Sequence, residues 1–431
     1  MSETDTPKTT SWQPSWMAED QEENVQAKES ATVTKAEPLF SLEDIQKTMD
    51  PKAAKAVDQD VVTVSVQDLH IHAMLKHSVS LQASDIMIAP GRKPFVRIDG
   101  DMKPMKEFPV LSEGDAERIL RSILKESQLR ELDERWELDC AYDLEGYRFR
   151  VNMHKQLHGL AAVFRLLGEK ILTPEQIGLP EKGTIMNLTN LDQGLVLVTG
   201  PTGSGKTTTL ATMIDKINRE MPYHILTIED PVEIVHEERY SSVVTHRELS
   251  THTHSFNNAL RSALREAPDV ILVGEMRDLE TIGLALTAAE TGHLVFGTLH
   301  TRSAAETINR IIDVFPSGQQ PMVRSQLAGS LKAVVSQKLM KRIPKGRVAV
   351  REVMLGTAAI ANQIRSSKTH EIYSTIQSGF EHGMVTLEQA LAEVVINGLA
   401  AHAEALDGAN DKEVFMSYLS KLYEQKMKNK R

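Results

Sequence analysis

The residues with the clearest chemistry are Gly200-Pro201-Thr202-Gly203-Ser204-Gly205-Lys206-Thr207. They follow an apolar stretch over 195–199 and precede a helical pattern from Thr208 to Ile217, so the GxxxxGK[ST] spacing falls between a strand and a helix, the context it requires. Glycines let a backbone curl until its N–H groups converge, and the start of a helix adds the positive end of a dipole. Lys206 is then placed to reach the β- and γ-phosphates of a nucleoside triphosphate, and the Thr207 hydroxyl to ligate Mg2+. The predicted contact set extends through Thr208.

A phosphate cradle does not by itself hydrolyse anything. Water must be positioned or deprotonated by a carboxylate, and the metal needs a second anchor. Asp269-Val270-Ile271-Leu272-Val273-Gly274-Glu275 is an apolar strand ending in Gly-Glu, the Walker B form, which makes Glu275 the candidate base at a strand's C-terminal edge. Its bland reading is a solvated glutamate beside Arg277. A second apolar stretch, 225–228, runs into Glu229-Asp230-Pro231-Val232-Glu233, an acidic cluster suited to a metal or its water shell. Spacing leaves open which of Glu229, Asp230 and Glu233 acts. His293 and His300 flank the strand 294–297, where an imidazole either senses a γ-phosphate or is simply structural. Arg148, Arg150 and Arg165 lie on strands earlier in the chain; each is a surface arginine or a guanidinium able to reach a neighbour's γ-phosphate.

The elements that must position these groups are legible in outline. Residues 1–60 have a disorder composition, with one short helix expected near Leu39-Phe40-Ser41-Leu42-Glu43-Asp44-Ile45. Residues 61–168 read as a small α+β domain. It has helices over 66–76 and 112–124, the second capped by Ser112, and strands over 85–88, 94–98, 147–151 and 161–166. Thr173-Pro174 and Leu179-Pro180 punctuate a connector over 169–190. From 191 to 358, short apolar strands alternate with helices, which implies an α/β domain with a parallel sheet covered on both faces. The remainder, 359–431, reads as helical and ends in a basic stretch.

Composition narrows the function classes. A chain of 431 residues implies more than one domain, and 41% apolar with 25% charged residues is ordinary for a globular protein. The formal charge of −10 argues against a nucleic-acid partner. Cys140 is the only cysteine, so neither an intrachain disulfide nor a cysteine zinc cage can form. No basic-then-apolar leader and no run of about 18 apolar residues occurs, so a cytoplasmic location is expected, with membrane association only through a partner.

Taken together, the phosphate loop, the acidic box, Arg261-Ser262-Ala263-Leu264-Arg265, Val273-Gly274-Glu275-Met276-Arg277-Asp278, Ala288-Ala289-Glu290-Thr291-Gly292-His293 and Gly297-Thr298-Leu299-His300-Thr301 resemble the secretion-type ATPases, specifically the PilT-like pilus-retraction branch. The likeness spans about residues 67–400. It implies a PAS-like N-terminal domain, a RecA-like motor domain, ATP and Mg2+, and a ring of six copies. The implied partners are an inner-membrane pilus platform protein and a paralogous retraction ATPase. By the same resemblance Glu275 is the catalytic glutamate, Glu233 the acidic-box glutamate, His293 and His300 the histidine box, and Arg150 and Arg165 the interdomain arginines.

The chain also departs from the pattern. It has Ser84-Asp85-Ile86-Met87-Ile88 where Ser-Asp-Leu-His-Leu is common, His158 in place of an arginine, and Ala359-Ile360-Ala361 where the branch has Ala-Ile-Arg. The last difference leaves an accessory role as the alternative. Assembly and secretion relatives typically carry a tetracysteine insertion, which a single cysteine excludes here.

Overall fold

The computed structural model describes residues 69–428 apart from 99, 169–170 and 238–240. The expected tail over 1–60 and its short helix lie outside the described residues. The chain divides into two compact units, with the boundary in sequence between Lys170 and Ile171.

The first unit is a six-stranded antiparallel sheet ordered β3-β2-β1-β6-β5-β4. The strands are β1 (Asp85–Ile88), β2 (Phe95–Ile98), β3 (Asp101–Pro104), β4 (Glu137–Leu144), β5 (Tyr147–Gln156) and β6 (Gly159–Leu166). Helices α1 (Ile71–Ser80), α2 (Glu113–Arg121) and α3 (Glu126–Arg135) accompany it. Along β5 the buried Phe149, Val151 and Met153 alternate with half-buried Arg148, Arg150 and Asn152, which is the period of a sheet covered on one face. Ser112 caps α2 by accepting the Asp115 N–H at 3.2 Å, and Ala116, Ile119 and Leu120 enter the core. Three elements escaped the sequence reading. In β4 acidic residues alternate with buried Leu138, Cys140 and Leu144, and α3 buries only Leu132, so neither shows an apolar run. All of β3 is exposed.

The second unit holds a seven-stranded sheet ordered β13-β12-β7-β11-β10-β8-β9. Its strands are β7 (Gly194–Thr199), β8 (His224–Glu229), β9 (Val243–Glu248), β10 (Val270–Val273), β11 (Leu294–Leu299), β12 (Leu331–Lys341) and β13 (Arg347–Leu355). All neighbours are parallel except β12 and β13, which form an antiparallel hairpin. Apolar clusters cover both faces, and every residue of β7 and β11 is buried. The connector expected over 169–190 is, from Ile171 onward, part of this unit. Leu179, Ile185, Met186 and Leu188 are core residues, because the prolines interrupt regular structure without removing the apolar side chains that drive packing.

Beyond β13 the chain is helical, as expected. Ile360, Ile364, Ile372 and Ile376 join the core under the sheet, while Leu387, Leu391, Phe415 and Leu419 pack with Met340 and Val350 of the β12–β13 hairpin. This junction buries two carboxylates. Glu388 accepts from the Tyr373 hydroxyl at 2.9 Å and from the N–H groups of Asn410 and Asp411 at 3.2 and 3.3 Å. Glu352 accepts the Ala304 N–H at 2.7 Å at the start of the helix Ala304–Asp313.

Burial pushes the Glu352 carboxyl up from 4.5 to about 7, opposed by the Ala304 N–H and reinforced by Glu388. The native state therefore holds a proton that the unfolded chain releases between pH 4.5 and about 7, and stability falls as pH rises through that window. Gln cannot ionise. Relative to the parent, Glu352→Gln is expected to gain roughly 2–3 kcal/mol between pH 5 and pH 8 in urea unfolding; a pH-independent difference would refute the assignment.

Candidate functional site

Parallel strands deliver their C-terminal ends to one edge of the sheet, and that edge gathers the loops after β7, β11, β10 and β8. The phosphate loop leaves β7 at Thr199, whose hydroxyl is 2.8 Å from that of Ser336. It ends at Gly205, which caps the helix Lys206–Glu220 with φ +87°, a conformation that disfavours any side chain. Lys206 folds back over the loop, its Nζ donating to the carbonyls of Gly200 at 2.9 Å and Pro201 at 3.2 Å. Burial lowers the Lys206 pKa, and the Glu275 and Glu233 carboxylates oppose that shift.

These residues fit a triphosphate. The loop ends on a helix N-terminus, Pro201, Thr202 and Gly203 lie open at its mouth, and the buried Ser204 hydroxyl has no hydrogen-bond partner. Among the described residues no group of three His, Cys, Asp or Glu could hold a metal unaided. That suits Mg2+ shared between the Thr207 hydroxyl, solvent and substrate phosphates.

Glu275 follows β10 and is fixed from both neighbouring strands. The Gly274 N–H donates to Ile228 at 2.8 Å, the Thr298 hydroxyl donates to the Gly274 carbonyl at 2.5 Å, and the Met276 N–H donates to Thr298 at 3.0 Å. Met276 lies against Gly297, where a Cβ would stand 2.4 Å from its sulfur. The Glu275 carboxylate, 23% exposed, lies 3.1 Å from His300 Nε2 and accepts from Arg277 Nη2 at 2.6 Å, with Arg277 Nε on its other oxygen. The structure thus brings Glu275, His300 and Lys206 to one edge. It adds Arg277, which sequence reasoning had treated only as a neighbour.

The acidic box is divided by burial. Asp230 is exposed, whereas Glu229 is buried with its carboxylate 3.9 Å from His246 Nδ1. His246 accepts the His236 N–H on Nε2 at 3.2 Å, which leaves its proton on Nδ1 to donate to the Thr227 hydroxyl at 2.8 Å. His236 beside it is driven down to about 3 by burial and by His246. Glu233, partly exposed, is the acidic-box residue whose field reaches Lys206. The two histidines of this cluster had no sequence signal.

His293 does not join the site within its own chain. It precedes β11, whose Leu294 pairs with Gly194 at the start of β7, while the phosphate loop follows the Leu299–Thr199 pair at the other end. Six residues of strand separate the two edges by about 20 Å. His293 Nδ1 instead bonds the Ala288 carbonyl at 3.0 Å.

In the first unit Arg150 and Arg165 face each other across β5 and β6. Arg165, its side chain 63% exposed, donates to Asp85 at 2.9 Å; Arg150 forms no ion pair among the described residues.

A parallel sheet carrying a phosphate loop, a strand-end glutamate one strand beyond its neighbour and a histidine between them defines a RecA-like P-loop ATPase. The chain belongs to the type II/IV secretion system protein family, whose model matches residues 63–407. It is an ATP-hydrolysing motor of the PilT type. The chain is 48% identical over 348 residues to the type IV pilus retraction ATPase PilT of Pseudomonas aeruginosa, covering 80% of this chain and 100% of that protein. To the type IV pilus ATPase PilU of the same organism it is 37% identical over 348 residues, covering 80% of this chain and 90% of the relative. A crystal structure of the pilus retraction motor PilT with bound ADP superposes with a TM-score of 0.74 at 44% identity, covering 80% of this chain and 98% of that one.

Because Gly297 makes room for Met276 and so sets Glu275, Gly297→Ala should lower kcat for ATP hydrolysis by about 10–100-fold while leaving nucleotide affinity within about threefold. Unchanged kcat would show that Glu275 does not depend on this packing.

Proposed function

We propose that six copies of this chain form a ring that uses ATP hydrolysis to retract a type IV pilus, powering twitching motility from the cytoplasmic side of the inner membrane through a pilus platform protein. The observation that carries the reading is the convergence of Glu275, His300 and Lys206 on one sheet edge in a chain 48% identical to PilT over that protein's whole length. Among the described residues no helix is long and apolar enough to cross a membrane, so contact with the pilus machine is assigned to a partner.

In this reading the loop amides and Lys206 bind the β- and γ-phosphates of ATP, and the Thr207 hydroxyl and the acidic box hold Mg2+. When bound, Mg2+ supplies charge neutralisation at those phosphates. Glu275 takes a proton from the attacking water, with its carboxylate oriented by His300 and Arg277. Arg150 and Arg165 of an adjacent copy reach across to the γ-phosphate. Their placement opposite each other on one strand pair and the lack of an ion pair at Arg150 support that role. Loss of the γ-phosphate contacts on hydrolysis releases this closure, which converts cleavage into motion.

The accessory reading rests on one observation. Ala361, where the branch carries arginine, lies on the helix Ala358–Arg365 and packs against the core. Complementing a deletion strain with Lys206→Ala separates the two: full pilus function without nucleotide binding fits only the accessory role.

Glu275→Gln should retain ATP binding and lower phosphate release by at least about 100-fold, and electron microscopy should show excess surface pili in strains carrying it. Near-normal turnover would remove Glu275 from catalysis, and bald cells would point to assembly. Mixing Arg150→Ala/Arg165→Ala protein with Lys206→Ala protein, each inactive alone, should restore part of the ATPase activity. If the mixture stays inactive, the arginines do not act between copies.

A further inference from the structure

Under the phosphate loop lies a buried polar chain that runs from the loop's own backbone to β13. The strand β12 begins with the apolar Leu331, Ala333, Val334 and Val335 and then buries Ser336 and Gln337 beside the loop. Gln337 Nε2 donates to the Ser204 carbonyl at 2.6 Å, while its Oε1 accepts from the Thr209 hydroxyl at 2.9 Å and from Arg351 Nε at 2.8 Å. Two donors on Oε1 fix the amide's orientation, so Nε2 must face the loop. The loop also rests on Gln337 sterically. A Cβ at Gly200 would lie 2.2 Å from the Gln337 carbonyl oxygen, and one at Gly205 would lie 2.8 Å from Nε2.

Arg351 stands directly opposite Gln337 on β13. Its guanidinium is buried without an ion pair among the described residues, and burial pulls its pKa down to about 10. A buried, unneutralised cation costs stability, so its hydrogen bonds must supply the compensation. Its second bond runs to the Ile177 carbonyl at 2.9 Å. Ile177 belongs to the segment 171–183 that follows the first unit in sequence, and the helix after the phosphate loop binds the same segment, Thr212 donating to the Leu172 carbonyl at 2.8 Å.

We propose that Gln337 is a positioning residue for the phosphate loop, and that Arg351 couples it to the connector over 171–183, so that movement of the connector alters the loop's grip on a triphosphate. The proposal rests on the reading of the loop as the nucleotide site. It names a route by which a shift of the segment 171–183 changes nucleotide affinity: Ile177 carbonyl, Arg351 guanidinium, Gln337 amide, Ser204 carbonyl.

Gln337→Glu tests it with the fold protected. The carboxylate keeps the side chain's size and still accepts from Thr209 and Arg351, but it sets an oxygen against the Ser204 carbonyl. The expected result is an unchanged or raised melting temperature with a roughly tenfold higher KM for ATP and kcat within about threefold, a split that a mere structural strut would not give. Arg351→Met should raise KM similarly, and Arg351→Lys should restore part of the affinity. Hydrogen exchange supplies the coupling readout. A non-hydrolysable ATP analogue should protect 171–183 in the parent protein and leave that segment unprotected in Arg351→Met. Folded Gln337→Glu with parental KM overturns the positioning role, and equal protection in both proteins overturns the coupling. Lys206→Ala runs beside them: if it binds ATP normally, the site reading itself fails, whereas loss of binding there with parental KM in Gln337→Glu defeats only the present proposal.

Discussion

A backbone that presents its N–H groups to a phosphate must be held in a curve that ordinary side chains and ordinary φ angles do not permit, and the rest of the second unit depends on that constraint. The loop has Gly200 and Gly205 where it crosses Gln337, a helix to terminate it, and the fully buried β7 beside the fully buried β11 to fix where it starts. Because the sheet is parallel at this point, the same edge receives the ends of β11, β10 and β8. Side chains from distant parts of the chain, Lys206, Glu275 and His300 among them, therefore arrive together without any loop having to find them, which is why rigid strand ends suit chemistry that is mostly positioning.

How much of this was readable follows from what kind of signal each part leaves. The strand, glycine loop and helix from Gly194 to Glu220 are a local pattern, and each local preference agrees with the fold. Glu275 was readable because an apolar strand ending in Gly-Glu is also local. His293 and His300 look equivalent in sequence, seven positions apart, yet the one strand between them sends them to opposite edges of the sheet within the chain. In the connector, proline reports on backbone regularity, whereas Leu179, Ile185 and Met186 report on burial, and all three are packed in the core of the second unit. The strands β4, β9, β12 and β13 were missed where polar residues interrupt the apolar alternation. At Gln337 and Arg351 that interruption was itself the signal, since a polar side chain in a buried strand must have a partner.

The strand β13 shows why such interruptions persist at a stability cost. Successive residues on a strand project to opposite faces. Arg351 and Glu352 are adjacent, and each is buried: the arginine turns to Gln337 and the connector, the glutamate to the helix at Ala304 and the carboxylate of Glu388. Hydrophobic residues of equal volume would pack this edge more cheaply. They would not tie it to specific backbone groups. As an edge strand, β13 also needs cover, and its Val353 exchanges hydrogen bonds with Val385 at the start of the C-terminal helical cluster. One strand therefore fastens the floor of the phosphate loop on one face and the C-terminal helices on the other. In an ATP-hydrolysing motor of this type, the hydrogen bonds of these two buried side chains specify which backbone groups are tied to the floor of the loop and which to the helix at Ala304.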